Sequence, residues 1–233
     1  AIWSDVSLTF ADLAYQSLSF DLRGHGRSSH QRSYSFDDHI DDLHAVMNHH
    51  RIASCPLVGH GHGAVIAAAY AAKHPERVDA LVLVSSDHLF AAPQDRARKI
   101  RGTIARPLAR IIEGGVAEVM QSRVGAKLGA AAVYGHRRDP RSYRRLATDL
   151  RLADPTAVTN LRRSARQRAA GGALLEQLTM PVLHVRGATS RPPRLDAVVV
   201  EGAGYFVQLD RPIELTVLID RFVRETRPAT IGE

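Results

Sequence analysis

The stretch Leu57-Val58-Gly59-His60-Gly61-His62-Gly63-Ala64 decides the fold. Cys55 to Val58 is a short apolar run that reads as a buried strand, and Gly59 to Gly63 reads as a tight turn. From Ala64 to Lys73 the residues are small and apolar, which predicts a helix that stops at His74-Pro75, where proline cannot continue it. Working outward, Ala80 to Val84, Met180 to Val185 and Ala197 to Val200 are further apolar strands, and Gln16 to Asp21 is a strand running into the glycine-rich turn Arg23 to Ser28. Between them, Phe36 to Arg51 spaces Ile40, Leu43, Val46 and Met47 at helical intervals behind the N-cap candidate Ser35, and a last helix runs from Pro212 to Glu225. Strands that are apolar on both faces and separated by helices form a mostly parallel sheet covered on both sides. The fold class is α/β.

From Leu89 to Leu178 the pattern is helical alone, broken at Gly114-Gly115, Gly125, Asp139-Pro140, Asp154-Pro155 and Gly171-Gly172. The expected organisation is a core of residues 1–88 and 179–233 with an all-helical cap of residues 89–178 inserted after the strand Ala80 to Val84. The 233 residues, 45% hydrophobic and 24% charged, suit one globular domain and exclude a disordered, collagen-like or disulfide-stapled chain. The longest apolar run, Ala64 to Ala72, falls far short of the roughly 20 residues of a membrane span. No secretory leader is read at the start, and the single Cys55 forms no internal disulfide, so a reducing cytoplasm is the expected location.

The net charge of +7 is unevenly placed. Residues 89–178 hold sixteen Arg and two Lys against seven acidic residues, which leaves +11 in the cap and −4 elsewhere. Without zinc-finger spacing, an RNA-binding aromatic signature or a continuous basic block, this charge does not point to nucleic acid. It is either a solvated helical surface written in arginine or a field that draws an anionic small molecule or peptide.

A strand, a Gly-x-x-x-Gly turn and a helix of small residues form the layout of the nucleophile elbow. Leu57 to Ala64 resembles that elbow as it occurs in the α/β-hydrolase superfamily. Asp21-Leu22-Arg23-Gly24-His25-Gly26-Arg27-Ser28 resembles the same family's turn after the preceding strand, and Gly202-Ala203-Gly204-Tyr205-Phe206 with Asp210-Arg211-Pro212 resembles its Gly-x-Gly-His segment before the final helix. The three motifs stand in the family's order, and a helical cap is usual at this position. Relative to that pattern, the strands and His-Gly loop expected before residue 1 are missing, and Ser190 to Tyr205 is shorter by about one helix.

The resemblance also marks what is missing at the catalytic positions. The elbow's centre is Gly61, which carries no hydroxyl, thiol or carboxylate to attack a substrate. The catalytic histidine's place is held by Tyr205, a poor base at neutral pH with an ordinary pKa of about 10. The usual acid position holds Gly187-Ala188-Thr189-Ser190, while Asp87 occupies an alternative acid position just after the strand Ala80 to Val84. His62 follows the elbow glycine and is either an acid–base group near neutral pH or a histidine packed under the cap. Tyr205 is either a hydrogen-bond donor to substrate or a plug in the space of an imidazole. Asp87 and His88 sit at a strand's C-terminal end, where open parallel sheets bind ligands, although Asp87 could equally cap the next helix. His60, Asp21, Arg23 and Asp210 read as structural, and Cys55 as inert.

The candidate catalytic set is therefore His62, Tyr205 and Asp87, with Gly61, His62, His88 and Tyr205 as substrate-binding positions. His60 with His62, and His49 with His50, lack the spacing of a zinc site, so no metal is expected, and no cofactor. An elbow without a nucleophile points to a non-hydrolytic enzyme of the isomerase, epimerase, lyase or cyclase type. The bottromycin-type peptide epimerases of natural-product biosynthesis are similar in lacking the triad, and there a substrate carboxylate can serve as the base. Two alternatives stand beside this: a binding protein without catalysis, and a hydrolase with a relocated nucleophile at Ser85 or Ser86.

Overall fold

The computed structural model describes residues 2–90, 147–149, 151–170, 172–188 and 195–226, the side chain of His88 excepted. Most of the expected cap, including the breaks between residues 91 and 146, and the expected acid position at residues 189–190 lie outside the described residues. Among the described residues the sheet has four parallel strands in sequence order: β1 (Cys55–His60), β2 (Val78–Val84), β3 (Val182–Gly187) and β4 (Val198–Val200). Gly59, Leu83 and His184 share one row of the register, and His60, Val84 and Val185 the next. β2 is buried along most of its length, as expected of a central strand that is apolar on both faces.

Two layers cover the sheet. On one face α2 (Phe36–His49), α3 (His62–Lys73), α4 (Asp87–Phe90) and α5 (Pro155–Ala169) pack in one cluster over Leu81 and Leu83. On the other, α1 (Ser4–Asp12), α6 (Val207–Asp210) and α7 (Pro212–Thr226) cover Val82, Val84, Val185 and Val200. The alternation of β2 residues between the two clusters follows from the strand's two-residue period. Helix α5 belongs to the first cluster through Leu161, Ala165 and Ala169.

Local chemistry sets the helix ends. Ser35 caps α2 in a reciprocal box, accepting from the Asp38 amide at 3.1 Å while the Asp38 carboxylate accepts from the Ser35 amide at 2.8 Å. Asp154 caps α5, its Oδ1 accepting from the Thr156 amide at 2.7 Å. The helix expected from Ala64 begins at His62, directly behind the turn glycine, because Gly61 serves as its N-cap.

One expected element is absent. Gln16 to Asp21 forms no strand: the segment is irregular, with Leu18 and Phe20 exposed. Its composition favours β structure, but among the described residues no neighbouring strand pairs with it, and a strand exists only through its ladder. The turn that follows is built as its residues suggest. Arg23 donates to both carboxylate oxygens of Asp42, at 2.6 and 2.7 Å, and Asp21 accepts from the Arg27 amide at 3.0 Å.

Candidate active site

At the end of β1 the chain reverses through Gly61, whose backbone angles are φ +54° and ψ −119°. The positive φ suits glycine, and the Gly61 amide is tied across to the Val84 carbonyl of β2 at 2.9 Å. Gly59 allows the strand and α3 to touch, since a Cβ there would lie 2.5 Å from the Ala64 Cα. The elbow geometry is thus present, with the positive end of α3 behind it.

Tyr205 meets the elbow from the opposite side. A Cβ built on Gly61 would stand 2.5 Å from the Tyr205 hydroxyl oxygen. The phenol therefore occupies the space that a side chain at the elbow's centre would need. His60 holds it there: the imidazole Nε2 lies 2.9 Å from the Tyr205 carbonyl oxygen, and its ring meets the Tyr205 ring edge-on at 4.6 Å and stacks on Phe206 at 4.8 Å. Asp210 steadies the same loop by accepting from the Gly204 amide at 2.7 Å. His60, Asp21, Arg23 and Asp210 thus have the structural roles expected of them.

Burial pushes the Tyr205 hydroxyl up to about 12, with the charge of Asp87 raising it further and that of Arg162 opposing. At neutral pH the phenol is a protonated donor and not a base. Asp87 and Arg162 consequently lie within electrostatic reach of Tyr205, one at the start of α4 and one on α5. Asp87 is the first residue of its helix; the Leu89 amide donates to the Ser86 carbonyl just before it. His62 opens α3 with its side chain half-buried, and His88 follows Asp87 in α4.

Three groups nearby were not singled out by the sequence reading. His184, on β3, is held below its ordinary pKa by burial, with Asp87 opposing, and its Nδ1 is buried without a hydrogen-bond partner among the described residues. Arg186, two residues on, is 4% exposed. Their alternation with Leu183 and Val185 carried the signal, since polar residues at every second position of a strand share one face. Arg162 was counted only as part of the cap's charge.

Ser85 and Ser86 follow directly on β2 at 2% and 1% exposure, Ser85 with φ +50°, and neither hydroxyl has a hydrogen-bond partner among the described residues. Among the described residues neither is hydrogen-bonded to a base, as an activated nucleophile would be. Burial raises the Cys55 thiol to about 11, leaving it a poor nucleophile. Among the described residues no three His, Cys, Asp or Glu side chains converge as metal ligands, and no helix is long and apolar enough to cross a membrane. A separate groove of about 390 Å³ lies beside Phe20, Asp21, Arg23, Asp42, Val46 and His49, and no elbow residue lines it. What meets the elbow's backbone turn is a neutral phenol donor, under the electrostatic influence of Asp87 and Arg162.

An uncharacterized protein of Mycobacterium tuberculosis is 25% identical to this chain over 252 residues, covering 97% of this chain and 72% of that protein. Epoxide hydrolase 4 of Mus musculus is 34% identical over 77 residues, covering 32% of this chain and 21% of that enzyme. Among solved structures, a bromoperoxidase from Bacillus anthracis superposes with a TM-score of 0.76 at 18% identity, over 96% of this chain and 87% of that one, which shows the shared fold. The model of the alpha/beta hydrolase fold matches residues 2–191, and the chain belongs to that family.

Proposed function

We propose that the chain is a non-hydrolytic enzyme on the α/β-hydrolase scaffold, binding an anionic small molecule or peptide between elbow and cap and moving a proton on it, as an isomerase, epimerase, lyase or cyclase does. The observation that carries this reading is the Tyr205 hydroxyl standing where an elbow nucleophile's side chain would begin. A protonated phenol there donates to a substrate carbonyl. When a proton leaves the neighbouring carbon, negative charge gathers on that carbonyl oxygen, and a fixed donor in a partly dry site stabilises it. Asp87, or the substrate's own carboxylate, takes the proton and returns it. Gly61 makes room for the phenol and attacks nothing. The free Cys55 is consistent with action in the cytoplasm.

The ring contacts of Tyr205 with His60 and Phe206 favour a second reading, a fixed plug in a binding protein. Incubating N-acyl amino acids and acidic peptides in D2O separates the two. Deuterium at Cα, reduced at least tenfold in Tyr205→Phe, supports the enzyme. A ligand recovered unchanged after long incubation supports the binder. Turnover of activated esters that disappears in Ser85→Ala or Ser86→Ala overturns both in favour of a relocated nucleophile.

A further inference from the structure

A row of contacts holds α2 against the C-terminal end of α3. Along α2, Asp41, His44 and Asn48 follow one another at helical spacing on one side. Opposite them, the Lys73 ammonium lies 3.5 Å from the Asp41 carboxylate. Arg77, of the helical turn Pro75–Arg77, donates to the Asn48 side-chain oxygen at 3.0 Å and to the Ile52 carbonyl at 2.8 Å. Between these two ties the His44 ring stacks on that of His74, with centroids 4.9 Å apart and planes inclined by 25°. Tyr70 closes the group: its ring lies 4.8 Å from that of His74, and its hydroxyl oxygen lies 3.2 Å from His44 Nδ1.

Two protons do not fit this group as well as one. Tyr70 is wholly buried, and burial raises its hydroxyl above the ordinary value, so the phenol donates and neutral His44 accepts at Nδ1. A proton on that nitrogen reverses the bond and leaves the Tyr70 hydrogen buried without its acceptor. An imidazolium still stacks on a neutral imidazole, but a second proton puts like charges on rings 4.9 Å apart. Burial, the charge of His44 and those of Lys73 and Arg77 all hold His74 below its ordinary pKa. Glu76 opposes them, its carboxylate 3.8 Å from His74 Nδ1 on the side of the turn, so a charged His74 is drawn to Glu76 and repelled by His44. Asp41 is engaged by Lys73, and the Cys55 thiol of β1, which faces Tyr70 and is raised to about 11, stays neutral.

We propose that the stacked His44 and His74 rings are a pH-sensitive clasp on the α2–α3 seam, closed while the pair holds at most one proton and opened by the second. The unfolded chain takes both protons near pH 6.5, whereas the folded pair takes its second only below that, so the clasp is shut above this pH and parts as the pH falls through about 6 to 5. The Asp41–Lys73 and Asn48–Arg77 ties on either side hold no group that titrates in that window, so the opening is confined to the end of α3 around Tyr70 and His74. That helix begins at the elbow glycine, which gives acid a hold on the element behind the elbow. The clasp rests on no ligand and no reaction there.

Histidine ring signals followed by NMR from about pH 8 to about pH 4.5, with amide exchange at both ends of the window, test it. In His44→Gln, whose side-chain oxygen still accepts from Tyr70, the midpoint of His74 is expected to rise by about 0.5 pH or more, because the facing charge is gone. In the parent, the protection of residues 70–74 should fall at least tenfold more than that of residues 78–84 on acidification, and in His44→Gln this excess should vanish. His74→Gln repeats both comparisons from the other ring and keeps the test decisive should the first variant not fold. Three results overturn the clasp. A midpoint that moves by less than about 0.2 pH shows rings that do not sense each other. Unchanged protection after both rings are charged shows a stack that holds two protons. A fall that is equal in residues 70–74 and 78–84, or equal in parent and variants, traces to acid unfolding driven by other groups.

Discussion

The Tyr205 hydroxyl lies 2.5 Å from the point where a Cβ on Gly61 would stand, so the phenol in this position excludes any side chain at the centre of the elbow. Gly61→Ser is expected to lower stability by about 1–3 kcal/mol through this overlap and through a side chain at φ +54°. Tyr205→Phe removes the oxygen in the way, leaving the nearest ring carbon at 3.5 Å, an ordinary contact. In urea unfolding the double variant should recover at least half of the loss, a coupling that independent sites do not show. Neither variant should turn over p-nitrophenyl acetate above background, because the side chain that meets the new hydroxyl is a protonated phenol or, in the double variant, a phenyl ring, and neither is a base.

Gly59 is a second position where the backbone leaves no room. A Cβ there would meet the Ala64 Cα at 2.5 Å and the Gly63 carbonyl oxygen at 2.6 Å, both main-chain atoms that cannot rotate away. Gly59→Ala should therefore cost about 3 kcal/mol or more in chemical denaturation, or fail to fold, whereas Gly63→Ala, with open space around its Cβ, should stay within about 1 kcal/mol of the parent.

The sheet and its helices were legible because their signals are local: apolar runs for β1 to β3, helical spacing and a Ser35 cap for α2, proline stops for α3. Gln16 to Asp21 misled because residue composition reports only a preference, and pairing depends on a neighbour that composition does not reveal. Gly61 could be read as a missing nucleophile, but the sequence offered Tyr205 only as donor or plug. That its hydroxyl fills the elbow depends on two segments 144 positions apart.

Asp154 ties α5 to the segment before α2 through two jobs of one carboxylate: Oδ1 caps α5 and Oδ2 accepts from Tyr34. Tyr34→Phe loses only the second and should cost about 1 kcal/mol, while Asp154→Ala loses both and should cost about 2–3 kcal/mol. Hydrogen exchange checks the location of the effect. Residues 155–169 should lose protection in Asp154→Ala more than in Tyr34→Phe, and residues 78–84 should be protected alike in both. Equal losses in the two variants would show that the cap bond contributes nothing.

His39 sets the acid limit of stability. Its ring is wholly buried on α2 with neither nitrogen hydrogen-bonded among the described residues, and burial, aided by the charges of His25 and Arg23 against those of Asp42 and Asp38, lowers its pKa to about 4. The unfolded chain takes up this proton near pH 6.5, so between pH 6.5 and 4 it holds more protons than the folded one. Stability therefore falls as the pH drops through that window, by about 3 kcal/mol in all for this group, and is unaffected by it at lower pH. His74 and His184 are also lowered by burial and add losses of the same sign, while Asp38, lowered to about 2, acts only at more acidic pH. The contribution of His39 is isolated by His39→Leu, which keeps the site apolar and removes an unsatisfied ring. Urea unfolding at pH 7 and pH 4 should show the parent losing about 3 kcal/mol more than the variant across that interval. Equal losses would mean that the imidazole reaches water or a partner on protonation and that its burial does not govern the acid transition.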